Sequence, residues 1–178
     1  MSNVLIGIIG VILFIGLALA GALFLGPRFS DSSSTSLGAA MVQSVTQISS
    51  AVVYYNTDTA TEATVGSDLL QTLVNGRYLK SIPDNPSGGD SLIVLSKNGE
   101  ASGVIGMVVA RMSNVGAEKA CGAIVRQTKN GDDTIGADGY SVVVDAASLP
   151  SGPAGCFRVG SSAVNALQAN QFYAFARL

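Results

Sequence analysis

The sequence predicts an α+β protein in which a long N-terminal helical spine packs against a small antiparallel β-sheet. Three observations lead to this fold class. An uncharged apolar run extends from Val4 to Pro27, and the first charge of the chain is Arg28. A helical repeat of apolar residues follows, and after it come short apolar segments separated by turn residues, as is typical of strands. We therefore expect an apolar helix at 1–27, its amphipathic continuation at 28–56 and a globular head at 57–178.

Composition excludes several classes of function. The chain has 178 residues, with 10 basic and 12 acidic side chains and no histidine. About 150 residues follow the apolar run, which is enough for one domain with its own core. The sequence has no cluster of basic residues that would indicate a nucleic-acid partner. Without histidine there is no Ser-His-Asp or Cys-His arrangement and no histidine metal site, and no phosphate-binding glycine loop is present. We expect no enzyme, no catalytic residue and no cofactor.

The apolar run has the length of a membrane-spanning helix. Val4 to Leu25 matches the run of about 20 apolar residues that crosses the hydrocarbon core of a bilayer. A signal peptide fits poorly, because it would begin with basic residues, have a shorter apolar core and end in a small-residue cleavage site. Pro27 removes a backbone donor and clashes with the preceding turn, so we expect the helix to kink or break at Gly26 and Pro27.

A second helical pattern follows a serine-rich stretch. Apolar residues recur at spacings of three and four, which predicts one buried helix face made of Leu37, Met41, Val45, Ile48, Val52 and Tyr55. If the helix also continues through Ser30–Ser36, residues 1–55 form one spine about 80 Å long. Otherwise Ser30–Ser36 is a flexible link between an anchor and a separate helix. The sequence leaves both arrangements open.

The head shows an alternation of short elements. "DLLQTLVNG" predicts a helix closed by Gly76 as its C-cap. "GAEKACGAIVRQT" predicts a second helix, and "SLIVLS", "GVIGMVVAR", "YSVVVDA", "CFRVG" and "QFYAFARL" predict strands. Asp132, Asp133 and Asp138 do not follow the EF-hand spacing, so a solvated turn is favoured over a calcium site. The aromatic residues assigned to the core are Tyr54, Tyr55, Tyr78, Phe172, Tyr173 and Phe175.

The two cysteines form an even pair. If the head lies outside the cytoplasm, Cys121 and Cys156 are expected to form one disulfide. Closing a loop of about 35 residues would stabilise the fold by about 4 kcal/mol. The alternative is a pair of buried reduced thiols.

The order of these parts resembles a type IV pilin, and more narrowly the type IVb group that includes the thin-pilus pilins of conjugative systems. The stretch "VVARMSNVGAEKACGAIV" is similar in placing a strand, a short turn and then a helix with the first cysteine. "LLQTLVNGRYLKSIPDNP" resembles the short helix and Pro-rich turn that follow the pilin spine. The wide cysteine spacing also suits the type IVb group, in which Cys121 and Cys156 would bracket a C-terminal loop.

The resemblance implies a structural role. The chain would wait in the inner membrane and then polymerise with itself through its N-terminal helix into a helical filament on the cell surface. A prepilin peptidase and an assembly ATPase would act on it, and Met1 would be the N-methylated mature start. The residues expected to pack in the filament core are Leu5, Gly7, Gly10, Phe14, Gly16, Gly21 and Phe24.

One position departs from the family pattern. Most pilins carry a glutamate at the fifth mature position, whereas this chain has Leu5 and no acid before Asp31. A buried terminal ammonium without a partner is costly. Either backbone carbonyls or lipid meet that ammonium, or the chain is a minor pilin. Two further alternatives are a secretion-system pseudopilin and a membrane-anchored periplasmic binding domain that does not polymerise. The sequence also leaves open whether Met1 is a native start and whether the filament serves adhesion, conjugation, DNA uptake or phage reception. Surface glycosylation and calcium binding stay open as well.

Overall fold

The computed structural model describes residues 2–66, 68–88, 92–112, 116–128 and 139–178, with the side chains of 2–5 and 23–31 outside this description. The chain divides into two compact units, Met1–Ser33 and Ser34–Leu178. The first unit is helical, and the second contains the sheet and both shorter α-helices. The α+β class is therefore confirmed.

Helix α1 extends from Ser2 to Thr59. Its backbone is helical through Ser30–Ser36, as in the first of the two arrangements considered, and the helix ends later than residue 56. The helix is not interrupted at Gly26 and Pro27, where a kink or break was expected. A proline removes one backbone hydrogen bond, which a long helix survives. A kink at these two residues stays a prediction, since their side chains lie outside the described part.

The remaining elements are short and follow the predicted order closely. They are β1 (Thr64–Val65), α2 (Leu69–Asn75), β2 (Ile93–Ser96), β3 (Gly103–Met112), α3 (Ala117–Thr128), β4 (Ser141–Val143), a 3₁₀ helix (Ala146–Ser148), β5 (Ala154–Val159) and β6 (Phe172–Arg177). The sequence does not predict β1 or the 3₁₀ helix. All the other elements lie within or beside the segments that the sequence predicts.

The sheet is mixed and not wholly antiparallel. Its strand order is β1-β3-β6-β5-β4, and β2 also pairs with β3. Every pair is antiparallel except β4 and β5, which run parallel with Ser141 opposite Phe157. The predicted antiparallel sheet is wrong at this edge. The connection through the 3₁₀ helix carries the chain back across the sheet, so β5 begins at the same end as β4.

The second half of α1 packs as its apolar repeat predicts. Met41, Val45, Ile48 and Val52 are fully buried, and Leu37 and Tyr55 pack against them while partly exposed. The helix is also attached to the sheet by a hydrogen bond of 3.0 Å that the Ser49 hydroxyl donates to the Arg177 carbonyl oxygen. This face of α1 therefore supplies one wall of the hydrophobic core.

The sheet is buried on both faces. Along β3, Val108 and Ala110 belong to a cluster shared with the helices, whereas Met107 and Val109 belong to a second cluster on the other face. This alternation follows from the period of two of a strand. The second cluster is closed by apolar residues of the connecting segments, namely Leu149, Val164 and Leu167. The head thus has two core layers around one sheet.

Helix α2 ends in a Schellman-type turn. Tyr78 N–H donates to the Leu73 carbonyl oxygen at 3.0 Å, and Arg77 N–H donates to that of Val74 at 3.0 Å. The left-handed residue is Arg77, with φ of 64°, while Gly76 keeps a helical φ of −75°. Gly76 is small for another reason, because a Cβ there would lie 2.6 Å from Cε2 of the Tyr78 ring. The turn therefore directs the chain after α2 along the end of α1.

Candidate functional site

Within the first unit, residues 6–22 present an apolar surface on all sides of the helix. From Ile6 to Ala22 the sequence contains no polar side chain. The large side chains of this stretch are between 49% and 74% exposed in the single chain, and they are Ile6, Ile8, Ile9, Val11, Ile12, Leu13, Phe14, Ile15, Leu17 and Leu19. Such a surface offers nothing to a polar ligand. It can only be covered by another apolar surface.

Most residues predicted to pack in a filament core lie in this stretch. Phe14 is 74% exposed. A Cβ built at Gly7, Gly10, Gly16 or Gly21 would have no neighbour within 4 Å, so these glycines are open grooves on the helix surface.

The side chains of Leu5, Phe24 and Pro27, and the Met1 start, lie outside the described residues. Within the part of the chain that the structure describes, no helix is apolar over a length that would cross a membrane.

The cysteines are joined. Cys121 of α3 and Cys156 of β5 form a disulfide with an S–S distance of 2.06 Å and a Cα–Cα distance of 5.3 Å. Both side chains are fully buried in the cluster between the sheet and the helices. The disulfide therefore holds α3 on the sheet, and the alternative of two reduced thiols does not apply to this structure.

The described residues contain no cluster of candidate metal ligands. No group of three histidine, cysteine, aspartate or glutamate side chains lies together among them. The aspartates considered for calcium, Asp132, Asp133 and Asp138, lie outside the described residues.

The aromatic side chains divide between the core and the surface. Tyr173 and Phe175 are buried as expected, whereas Tyr55, Tyr78 and Phe172 are half-buried. The core assignment is wrong for Tyr54, which is 68% exposed on α1. Tyr54 follows Val52 by two residues, and on a helix that spacing puts it on a different face.

Tyr78 connects the chain after α2 to the end of α1. Its hydroxyl donates a hydrogen bond to the Asp58 carboxylate, and its ring packs edge-on against Tyr55 with 5.4 Å between centroids. The hydrogen bond to Asp58 raises the pKa of Tyr78, and desolvation and the Asp58 charge act in the same direction. The contact is structural, since it joins Tyr78 to two residues at the end of α1, Asp58 and Tyr55.

A cleft lies beside the last turns of α1. It has a volume of about 350 Å³ and is lined by Val53, Asn56, Thr57, Glu62, Lys97, Val104, Ile105 and Leu178. Its apolar side chains are partly open to solvent, since Val53 is 48%, Val104 37% and Leu178 40% exposed. We call this the Val104 cleft. The sequence could not indicate it, because its lining comes from five separate stretches of the chain.

Another groove lies along the middle of α1. It has a volume of about 470 Å³ and is lined by Ala39, Val42, Gln43, Thr46, Gln47, Ser50 and Gln127. None of these side chains is charged, and no cysteine, histidine, aspartate or glutamate is among them. The groove therefore offers amide and hydroxyl groups but no charged side chain.

Comparison with known proteins adds no family assignment, as no protein-family model, curated protein or solved structure matches this chain.

Proposed function

We propose that this chain is a structural subunit of a type IVb-like pilus. The subunit is held in the inner membrane before assembly and polymerises through its N-terminal helix into an extracellular filament. The observation that carries the proposal is the apolar surface of the first unit, where ten large side chains from Ile6 to Leu19 are exposed on one helix. A surface of this kind needs lipid before assembly and copies of itself afterwards.

The head supports the same role. Its sheet is buried on both faces, and a fully buried disulfide holds α3 to β5. Disulfides persist in oxidising compartments, which agrees with a head outside the cytoplasm. The partners that the proposal requires are copies of this chain, a prepilin peptidase and an assembly machine. It requires no cofactor and no nucleic acid.

A minor pilin or pseudopilin is the second candidate, and Leu5 favours it. In a major subunit the fifth-position glutamate balances a neighbour's terminal ammonium, which Leu5 cannot do. A minor subunit occurs in few copies and buries few such charges. A non-polymerising periplasmic binding domain is less well supported, because the backbone of Ser30–Ser36, which would be its tether, is helical.

The intact mass of the dominant protein in filaments sheared from the producing cells tests the proposal. We expect the mass of residues 1–178, less two hydrogens for the disulfide and plus one methyl group if Met1 is the processed start. Reduction should add the two hydrogens back. Filaments made of another protein, with this chain retained in the inner membrane, would support the minor-subunit candidate instead.

A further inference from the structure

The Val104 cleft has the composition of a protein-binding surface. Among the described side chains of the second unit, Ser34–Leu178, seven large hydrophobic residues are exposed, and three of them line this one cleft. Glu62 and Lys97 stand on its rim, both exposed and without an ion pair or side-chain hydrogen bond to another described residue. An apolar patch with a charged rim is typical of a site for a partner protein.

Another exposed hydrophobic residue of the head lies between a basic and an acidic side chain. Ile82 is 39% exposed and lies between Lys80 and Asp84, each two residues away and exposed. Neither charge forms an ion pair or side-chain hydrogen bond with the rest of the described chain. We call residues 80–84 the Ile82 loop.

The Ile82 loop is held in place on both sides. Before it, Tyr78 is hydrogen-bonded to Asp58. After it, the Asn85 side-chain amide donates to the Arg111 carbonyl oxygen at 2.8 Å, and the Ser87 hydroxyl donates to the same oxygen at 3.0 Å. A loop fixed at both ends loses little conformational entropy when it binds.

We propose that the Val104 cleft of one copy of this chain receives the Ile82 loop of a second copy. Ile82 enters between the apolar side chains of the cleft, Lys80 faces Glu62, and Asp84 faces Lys97. Both charges of the loop then meet opposite charges, and the apolar residues of both surfaces leave water together. This contact deepens the proposed function and rests on it, because a filament is where copies of the chain meet repeatedly.

The cleft and the loop are two different patches of the chain, so each copy can offer its loop to one neighbour and its cleft to another. Val104 is near the first residue of β3, whereas Arg111, to which Asn85 is bonded, is near the last. Seven residues of strand separate them by about 20 Å. A contact between two different patches is heterologous, and such contacts propagate into rings or helical filaments.

Directed disulfide cross-linking between two full-length versions of the chain tests the contact. One version carries Ile82→Cys and the other Val53→Cys, with different tags, and both are produced in the same cells and oxidised before extraction. We expect a mixed-tag dimer in severalfold greater yield than from a control pair of Ile82→Cys and Ala147→Cys, since Ala147 is exposed but does not line the cleft.

Charge reversal gives a second measurement on the same pair. Glu62→Lys in the cleft version should lower the cross-link yield by about fivefold, and Lys80→Glu in the loop version should restore most of it. Glu100→Lys, an exposed acid outside the cleft lining, is the matched control and should leave the yield unchanged. Rescue by the double reversal is a result that misfolding of either variant cannot produce.

The outcomes separate this inference from the proposed function. Filaments built of this chain without a preferential cleft-to-loop cross-link overturn the contact and leave the pilus role standing. A preferential cross-link with charge rescue, in cells that make no filament from this chain, supports the contact and contradicts the pilus role. Equal yields in the test and control pairs, or cross-linking of either cysteine to a different protein, overturn the contact.

Discussion

At the scale of single residues, Gly106 shows how closely the backbone of this head is packed. A Cβ at this position in β3 would lie 2.4 Å from the Lys97 Cα and 2.5 Å from the Lys97 nitrogen. Both atoms belong to the backbone and cannot move aside as a side chain can. A glycine inside a strand often marks such an approach, but the sequence alone does not show what approaches.

We expect Gly106→Ala to lower the free energy of unfolding of the full chain in detergent by about 1–3 kcal/mol, the usual cost of overpacking. Chemical unfolding followed by near-ultraviolet circular dichroism measures it. Gly122→Ala in α3 is the matched control, because its added Cβ would have Arg126 Nη1 as its nearest neighbour at 3.5 Å. The control should gain up to about 1 kcal/mol from helix propensity. Equal effects of the two substitutions would contradict this account of Gly106.

The Tyr78–Asp58 pair predicts a pH effect whose sign can be worked out. The hydrogen bond to Asp58 raises the pKa of Tyr78 above its ordinary value of 10.0. A group whose pKa is higher in the folded state stabilises the fold fully below its unfolded pKa, and that contribution is lost as pH rises through the folded pKa. The pKa of Tyr78 can be measured by titrating tyrosinate absorbance, and the Tyr78→Phe variant identifies which part of the signal belongs to Tyr78. We expect Asp58→Asn to lower this pKa. An unchanged titration would show that Asp58 is not the cause.

At the scale of elements, the strongest periodic patterns gave correct predictions. The buried face of α1 at Met41, Val45 and Ile48 follows directly from spacings of three and four. Helix α3 and strands β3 and β6 also lie where their patterns place them. These elements are long enough for the period of the apolar residues to be read without knowledge of their partners.

The sequence-based predictions fail where the residues of a segment do not show which strand that segment pairs with. Strand β1 has two residues and β4 has three, too few to show a period. The parallel pairing of β4 with β5 depends on the path of the connecting segment and not on the residues of either strand. Gly76 is the C-cap of α2, as the sequence predicts, but the left-handed residue is Arg77, which no local pattern marks.

Adjacent valines in α1 provide a test of the buried face. Val52 is fully buried, and its neighbour Val53 is 48% exposed. Val52→Ala should cost about 2 kcal/mol of unfolding free energy through lost burial and the cavity that remains. Val53→Ala should be close to neutral, as alanine favours helix. Chemical unfolding of both variants measures the difference, and a larger loss for Val53→Ala would mean that the helix face is wrongly assigned.

At the scale of the whole molecule, the two units have opposite surfaces. The head buries its large apolar residues with few exceptions, whereas the first unit exposes all ten of those described. The sequence already predicted the apolar helix, since a run without charge needs no tertiary information to be recognised. It did not predict the Val104 cleft, whose lining is assembled only by folding.

A charged residue within the apolar helix should prevent assembly into filaments but should not prevent the head from folding. We expect Ile12→Lys, at a side chain that is 64% exposed, to abolish incorporation into filaments, since a lysine cannot be buried among apolar helices without a partner. The head should still form its disulfide, as shown by the absence of free thiols after extraction. Ala147→Lys on the head is the control and should assemble normally. Filaments formed by Ile12→Lys at normal yield would contradict a role of this helix in packing.

The position of β6 has a consequence for biosynthesis. This strand pairs with β3 on one side and β5 on the other, so Phe172–Arg177 is the middle strand of the sheet. While the ribosome has not yet released these residues, β3 and β5 have open edges and neither core layer is complete. The head therefore cannot complete its fold while the chain is still being synthesised. A chain that ends at Gln171 should stay sensitive to protease, whereas the full chain should resist it. Only finished copies would then be available to a growing assembly.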